Sequence, residues 1–284
     1  MRRPLLVLAA VAVLLAGIGI YALITRYPHK IPLPIPLARD CGVRTVDGEV
    51  RLTAEQMANA ATIAAVGVSR NVPDQGIVVA LATAMQESDL INVNGGDRDS
   101  VGLFQQRPSQ GWGTAEQVHD PRYASAAFYR QLLRTRGWQD MTVTQAAQAV
   151  QRSAYPEAYA KHETKARILG TALVGAAASA VTCGPVDEPP LRGAAAREAV
   201  SVGLRADWGE QLSSTLATGQ DGVTVTANQE RTGWQFAHWL VAQSAVHGVA
   251  AVSFGNHRWT ADSGTWTTVA AGEHPTRVVA EVYP

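Results

Sequence analysis

The sequence predicts a mainly α domain followed by a small α+β domain, behind an N-terminal transmembrane helix. Three observations predict this fold class. Residues 5–24 contain no charged side chain, alanines and other small apolar residues recur at helical spacing between residues 54 and 180, and helical patterns alternate with short β-type runs beyond residue 190. A length of 284 residues suits two domains rather than one.

The N-terminal apolar stretch is long enough to span a bilayer as a helix. We predict a cytoplasmic tail at 1–4, an uncleaved signal anchor at 5–25 and a proline-rich linker at 26–40. The residues before Cys41 fit neither a small-x-small cleavage site nor a lipobox. Basic residues flank both ends of the stretch, so the short leading tail decides the orientation, and the rest of the chain is predicted outside the cell membrane.

The charge balance and the cysteines narrow the class of protein. With 24 basic and 24 acidic residues the formal net charge is zero, which argues against a nucleic-acid partner. The two cysteines, Cys41 and Cys183, bracket the helical region, and an even count in an extracytoplasmic protein predicts a disulfide. Two unrelated free thiols are the alternative. Two cysteines do not suggest a structural zinc site, and no metal or other cofactor is expected.

The helical domain, 41–183, is predicted from its start and stop signals. Thr53 and Gln56 form a capping box before an alanine-rich run, and Pro73 stands near the next helix start. The predicted helices after the first are 77–86, 120–136, 142–151 and 157–180, with Tyr123, Phe128, Leu132 and Leu133 facing inward on 120–136.

One carboxylate, Glu87, stands at the polar end of the apolar helix 77–86. A carboxylic acid can protonate a glycosidic oxygen if apolar surroundings keep it protonated, and the small residues one turn earlier predict such a wall. Ser88 follows and is placed to orient the acid. Gly102 permits a close approach of backbone to an extended sugar chain, and Gln105 and Gln106 supply amides for hydroxyl and N-acetyl groups. A solvated helix-end glutamate is the alternative.

These residues form part of a motif that resembles the signature of a known family. Glu87-Ser88, then Ser100-x-Gly102-Leu103-Phe104-Gln105, then Pro108 resembles the signature of the lysozyme-like superfamily, in particular the soluble lytic transglycosylase catalytic domain, although Phe104 stands where that family usually has Met. Residues 52–183 also resemble membrane-anchored lysozyme-like proteins of actinobacteria, with GDRDSVGLFQQRPSQGWGT as the hallmark segment. The resemblance implies a lysozyme-like fold and cleavage of the MurNAc-GlcNAc β-1,4 bond of peptidoglycan glycan strands, with Glu87 as acid and base and Ser88, Ser100, Gly102, Phe104, Gln105 and Gln106 forming the substrate groove.

Two further positions are assigned to the groove. Tyr155 matches the tyrosine of the transglycosylases' Ala-Tyr-Asn motif, which reaches the acid, although Pro156 replaces the asparagine. Trp112 lies between glycines, where it is either exposed for stacking on a sugar ring or part of the core.

The insert at 92–100 has three interpretations. It is a turn or short hairpin without further function, a source of a second acid through Asp97 or Asp99, or a calcium loop that lacks the usual bidentate glutamate. A second acid would favour hydrolysis, while a single glutamate favours a transglycosylase. The alternative to an enzyme is a catalytically inactive glycan-binding or scaffold protein at the cell wall.

A linker at 184–192 precedes the α+β domain at 193–284. Five of the seven tryptophans lie there, and most are expected in its core. The segment 233–282 weakly resembles a hedgehog/D-Ala-D-Ala-peptidase-like domain whose zinc-binding His-x-His pair is lost, since the comparable segment is His274-Pro275-Thr276. The resemblance therefore implies a non-catalytic descendant. The predicted elements are helices at 194–204 and 234–246 and strands at 223–227, 250–254, 258–260, 266–269 and 277–282.

Overall fold

The computed structural model describes residues 40–153, 155–185, 188–209, 212, 215–270 and 276–284. The described residues form one compact unit. The predicted signal anchor at 5–25 and most of the linker at 26–40 lie outside the described residues. In the part that is described, no helix is both long and apolar enough to cross a membrane.

Within the described ranges the chain is a mixture of nine α-helices and two antiparallel sheets, so the coarse α+β expectation is confirmed. The helices are α1 (Ala54–Ser69), α2 (Asp74–Ser88), α3 (Ala115–His119), α4 (Pro121–Arg134), α5 (Val143–Gln151), α6 (Glu163–Leu173), α7 (Gly193–Trp208), α8 (Glu230–Ala242) and α9 (Ser244–His247). Short 3-10 helices occupy Pro108–Gln110, Trp138–Asp140 and Pro156–His162.

A side-chain cap sets the start of four of the nine described α-helices, among them α1, α4 and α5. The side chain of Thr53 accepts a hydrogen bond from the Gln56 backbone at the start of α1, as predicted, and Thr142 caps α5 in the same way. Asp120 caps α4. The prediction that Leu133 faces inward on α4 was wrong, because its side chain is 47% exposed, while Phe128 and Leu132 are buried. The long helix predicted over 157–180 is instead a 3-10 turn followed by α6.

A three-stranded sheet closes the helical part and was not predicted. Its strands are β1 (Asp40–Thr45), β2 (Gly48–Thr53) and β3 (Val181–Cys183), in the order β2-β1-β3. Cys41 lies opposite Cys183 in the β1–β3 ladder, and their sulfur atoms are bonded. The predicted disulfide is confirmed, and it joins the two ends of the helical part.

The second sheet has six strands in the order β4-β5-β9-β6-β7-β8, and α7 and α8 contact it. The strands are β4 (Leu216–Thr218), β5 (Gly222–Thr226), β6 (Val249–Phe254), β7 (His257–Thr260), β8 (Thr265–Thr268) and β9 (Arg277–Val282). Only β4 was not predicted. Four of the five tryptophans of this part, Trp208, Trp234, Trp239 and Trp259, are buried, as expected.

The helical and C-terminal parts share a continuous core across the predicted linker at 184–192. A buried carboxylate, Asp207 on α7, accepts hydrogen bonds from Thr62 on α1 (2.9 Å) and Trp239 on α8 (2.8 Å), and it pairs with Arg122 on α4. Burial raises the pKa of Asp207, while Arg122 and the two other donors oppose that rise. A buried charge needs such partners, so this cluster fixes the four helices in one arrangement.

A buried histidine makes the same junction sensitive to acid. The ring of His238 on α8 accepts from the Ala180 amide (3.0 Å) and donates to the Ala172 carbonyl (2.8 Å), so it is held neutral. Burial lowers its pKa to about 4. His247, which stacks on Trp239, also has its pKa lowered to about 4 by burial and by Arg122.

We therefore expect stability to fall as the pH drops from 6.5 to 4. Above the unfolded pKa of about 6.5 neither state is protonated, and below it the unfolded chain takes up the proton first, so His238 removes about 1.4 kcal/mol of unfolding free energy per pH unit, up to about 3 kcal/mol. Urea unfolding at pH 7.5, 6 and 5 measures this slope. The His238→Gln variant should show a shallower slope, and an equal slope in both proteins would contradict the assignment.

Candidate functional site

The site begins at the C-terminal end of α2, where Glu87 is half-buried in the last turn. The two residues after the end of α2, Asp89 and Leu90, both adopt left-handed backbone conformations, with φ of 53° and 61°. The side chain of Gln56 donates to the Asp89 carbonyl (2.8 Å) and that of Asn59 donates to the Leu90 carbonyl (2.8 Å). Since left-handed conformations cost about 1–2 kcal/mol each, α1 stabilises a strained turn that fixes where α2 ends.

A tyrosine hydroxyl contacts the acid directly. Tyr159 is fully buried and its Oη donates to Glu87 Oε1 at 2.7 Å. Burial raises the pKa of Tyr159 above its ordinary range, and the nearby Glu87 carboxylate adds to the effect, so the phenol keeps its proton and acts as a donor.

Tyr155, which was expected to reach the acid, is 76% exposed. The 3-10 turn at Pro156–His162 brings the tyrosine four positions later to Glu87. A signal for this was present in the sequence, because the dipeptide Ala-Tyr occurs twice, at 154–155 and 158–159. The prediction was based on the first Ala-Tyr dipeptide, whereas the tyrosine of the second one contacts Glu87.

The segment after Gly102 is held against α2 and α5 by its backbone carbonyls. Ser88 Oγ donates to the Leu103 carbonyl and Gln151 Nε2 donates to the Phe104 carbonyl, both at 2.8 Å. Ser88 therefore orients this segment rather than the Glu87 carboxylate. The Phe104 ring is fully buried and stacks on Phe128 with centroids 4.8 Å apart, so it supports the site from within the core.

The predicted polar groups of this segment bond mainly to the protein itself. Gln105 Oε1 accepts from Ser100 Oγ (3.0 Å), and Gln105 Nε2 donates to the Gly102 carbonyl (3.2 Å). Gln106 is 1% exposed and donates to the Ala124 carbonyl (3.1 Å). These amides shape the loop, and their expected contact with sugars stays a prediction.

Gly102 is required by its backbone neighbours. Its φ is +76°, and a Cβ at this position would lie 2.4 Å from the Val118 carbonyl oxygen. Gly111 offers a matched comparison, because its φ is +81° and nothing lies within 4 Å of its Cβ position. The two glycines thus have nearly the same positive φ and differ in the space around the Cβ position.

We expect Gly102→Ala to destabilise the protein considerably more than Gly111→Ala. Both variants place a side chain at positive φ, at about 1–2 kcal/mol, and only Gly102→Ala adds a clash with backbone, typically about 1–3 kcal/mol more. Urea denaturation of the two variants measures the difference. Equal losses would show that the Val118 contact relaxes without cost.

The two candidate second acids lie in different environments. Asp99 accepts from Arg107 Nε (2.8 Å), the Ser109 amide (2.7 Å) and Ser109 Oγ (3.0 Å). The Arg107 hydrogen bond and then the two Ser109 bonds hold the pKa of Asp99 far below its usual range. Asp99 is therefore occupied in bracing the loop. The side chain of Asp97 is 93% exposed, with Arg98 3.9 Å away.

A polar cleft of about 450 Å³ lies beside this loop. Half-buried Trp112 forms one wall, and Gln110, Gln131, Gln151 and Arg152 supply amide and guanidinium groups. Through Gln151, the cleft connects to the Phe104 carbonyl and so to the segment that Ser88 holds. Trp112 also packs against the core, and its stacking on a sugar ring stays a prediction.

Backbone strain concentrates around the same residues. Seven described residues other than glycine have positive φ, and five of them lie on the loops around Glu87 and the cleft: Asp89, Leu90, Arg98, Gln105 and Arg152. Such strain persists where the surrounding structure over-determines the backbone, and it clusters at binding and catalytic sites. This observation marks the region as a functional candidate independently of any motif.

In the described part of the chain, no group of three or more His, Cys, Asp or Glu side chains is placed to hold a metal ion. His274, the position compared with the lost zinc pair, lies outside the described residues. No protein-family model matches the chain, and no curated protein sequence matches it either.

Proposed function

We propose that this chain is a membrane-anchored, extracytoplasmic enzyme that cleaves the MurNAc-GlcNAc β-1,4 bond of peptidoglycan in the manner of a lytic transglycosylase. The observation that carries the proposal is the 2.7 Å contact between Tyr159 Oη and Glu87 Oε1 at the end of α2, beside the loop that ends in Gly102-Leu103-Phe104-Gln105. The disulfide supports an oxidising compartment, as expected outside the cytoplasm.

The proposed reaction uses one carboxyl group twice. Glu87 donates its proton to the glycosidic oxygen as the bond from the anomeric carbon to that oxygen breaks. The 6-hydroxyl of the same sugar then attacks the anomeric carbon, and the Glu87 carboxylate accepts the proton of that hydroxyl. The products are a new 4-hydroxyl end and a 1,6-anhydro end, and the glutamate returns protonated.

Tyr159 has a positioning role in this scheme. Its hydroxyl holds Oε1 of Glu87, which leaves Oε2 to exchange the proton with the sugar. Because Tyr159 is fully buried, its ring position is fixed by packing and the carboxyl group is oriented before substrate arrives.

The state of the aspartates favours a transglycosylase over a hydrolase. A hydrolase would need a second carboxylate to hold a water molecule, and Asp99 is committed to Arg107 and Ser109. Asp97 is the remaining candidate, and its side chain is almost fully exposed. The sugar's own 6-hydroxyl removes the need for either.

A matched pair of tyrosine variants tests the site. The hydrogen bond from Tyr159 strengthens as Glu87 loses its proton in the transition state, and a hydrogen bond to a charged group is worth about 1.5–3 kcal/mol. Tyr159→Phe should therefore lower the rate of wall cleavage by roughly 10- to 100-fold. Tyr155→Phe removes an exposed hydroxyl and should leave the rate unchanged. The measurement is turbidity clearing of purified cell wall by the full chain in mild detergent.

Three outcomes would count against this assignment. Equal rates for the two variants would remove Tyr159 from the site, and a loss confined to Tyr155→Phe would restore the original prediction. Binding to wall without any soluble product would support the catalytically inactive scaffold.

A further inference from the structure

The cleft beside Trp112 has one charged residue in its lining. It is formed by residues 110–112, by Gln131 on α4 and by residues 150–152 at the end of α5, and the structure describes all of them. The charged residue is Arg152, and the other polar side chains of the lining are carboxamides and the indole of Trp112. The nearest undescribed position along the chain, residue 154, is an alanine and brings no charge. The lining is therefore polar and carries a positive charge.

The guanidinium group of Arg152 is available to a ligand. The residue is exposed, and no acidic side chain in the described part of the chain forms a salt bridge with it. Arg107, in the loop on the other side of the cleft, differs because Asp99 accepts from its Nε at 2.8 Å. An unpaired guanidinium attracts an anion, and its planar fork can donate two parallel hydrogen bonds to a carboxylate.

The backbone holds Arg152 in one place. Its φ and ψ are 53° and 41°, a left-handed conformation that residues other than glycine rarely adopt. The Arg152 amide donates to the Gln148 carbonyl at 2.8 Å, and Gln148 Nε2 donates to the Ser153 carbonyl at 2.8 Å. These bonds close the end of α5, so the side chain leaves the helix from a fixed turn at the edge of the cleft.

Both chain neighbours of Arg152 lead to the acid. Burial raises the pKa of Tyr159, and Ser153 opposes that rise, so the Ser153 side chain lies beside the Tyr159 hydroxyl, which donates to Glu87 at 2.7 Å. On the other side, Gln151 donates at 2.8 Å to a backbone carbonyl of the loop next to Glu87. A group bound by Arg152 therefore belongs to a sugar at or next to the bond that the acid would protonate.

We propose that this cleft binds a carboxylate carried by the glycan, and that Arg152 is the residue that selects glycans bearing one. The inference rests on the proposed function, since it assigns the substrate preference of the same site. A muramyl sugar carries a lactyl ether that ends in a carboxylate, or in a peptide stem with carboxylates of its own. A chain of N-acetylglucosamine alone has neither. Arg152 acts on binding and specificity and takes no part in the proton transfers.

The test measures binding in the Glu87→Gln background, which prevents turnover, with the full chain in mild detergent and titration calorimetry. The probes are a peptide-free tetrasaccharide of alternating N-acetylglucosamine and N-acetylmuramic acid, its neutral methyl ester, and the same tetrasaccharide with peptide stems. We expect an acidic probe to bind about tenfold more tightly than the ester. Tightening by the lactyl acid identifies the lactyl carboxylate as the ligand, and tightening confined to the stem-bearing probe identifies a carboxylate of the stem.

Arginine variants assign this preference to one residue. Arg152→Gln should weaken binding of the acidic probe at least fivefold and binding of the ester less than twofold, and Arg152→Lys should retain part of the preference because it keeps the charge without the fork. The matched control is Arg205→Gln, at an exposed position on α7, which should change neither value. Arg152→Gly, which suits the left-handed backbone, is the second variant if Arg152→Gln does not fold.

Three results would overturn the proposal: no binding of any probe, equal binding of the acidic probes and the ester, or a preference that survives Arg152→Gln. Equal losses from Arg152→Gln and Arg205→Gln would count against it as well, because they would assign the effect to overall charge. Failure of the enzymatic proposal is seen separately, as absence of wall cleavage by the chain without substitutions.

Discussion

Replacing Glu87 by glutamine should reduce wall cleavage by at least about 10³-fold while the fold is retained. Glutamine has the shape of glutamate and its carbonyl oxygen can still accept the Tyr159 hydrogen bond, but it cannot donate or accept the proton that the reaction requires. General acid–base catalysis alone contributes about 10²–10⁴-fold, and this residue carries both steps of the proposed mechanism. Initial rates of turbidity clearing, with wild-type and variant at equal concentration, measure the effect.

The matched control for this variant is Glu157→Gln. Glu157 is exposed and lines a different cleft, of about 410 Å³, beside α5. The Glu157→Gln variant should cleave cell wall at the wild-type rate. Both variants should unfold at the same urea concentration as the wild-type protein. Retention of activity by Glu87→Gln would eliminate the glutamate as the acid.

Removing the disulfide should cost on the order of 5 kcal/mol of unfolding free energy. Cys41 and Cys183 are 142 residues apart, and in the chain-entropy model closing so long a loop restricts the unfolded chain by about that amount. Stability of a domain is usually about 5–15 kcal/mol, so the double Cys→Ala variant would be marginal at 37 °C. Urea unfolding with and without reductant measures the loss.

Reduced wild-type protein is the control for packing at this position. It keeps both sulfur atoms in the core, where the two side chains are only 2% and 3% exposed, and it lacks only the covalent bond. Equal losses for reduced wild type and for the double variant would assign the effect to the cross-link. A loss of less than about 1 kcal/mol on reduction would show that β1 and β3 are held by their ladder alone.

The helices could be predicted because their signals are local. Thr53 with Gln56, Asp120 with Pro121 and Thr142 each mark a start within one turn of chain, and all three begin helices in the structure. Most strands of the second sheet were likewise marked by short β-branched or aromatic runs. The element limits differ by a few residues, as frayed ends and 3-10 turns lead one to expect.

The first sheet could not be predicted because its pairing is not local. β3 is only three residues long, and it becomes a strand by pairing with β1 at the other end of the helical part. The cysteines indicated that those two segments meet, without indicating a sheet. The shared core of the two parts also depends on distant contacts such as Thr62 with Asp207, for which no short pattern exists.

At the candidate site, the structure brings Glu87 next to the predicted loop, and several side-chain contacts differ from those predicted. Gly102 was predicted to allow close approach of a sugar chain, but a side chain at this position would clash with the Val118 carbonyl. Tyr155 was predicted to contact Glu87, but Tyr159 makes that contact. The sequence does not indicate the three hydrogen bonds that Asp99 accepts from Arg107 and Ser109. Side-chain partners depend on tertiary packing, and residue type and spacing do not encode them.

Mass spectrometry of the fragments released from purified peptidoglycan tests the central claim most directly. If one glutamate acts as acid and then as base while the sugar's 6-hydroxyl attacks, the wild-type chain will release fragments with 1,6-anhydro ends, and Glu87→Gln will release none. Fragments with reducing ends would show that water is the attacking group and that a second acid has been missed, and identical fragments from the Glu87→Gln protein would contradict the assignment of the acid altogether.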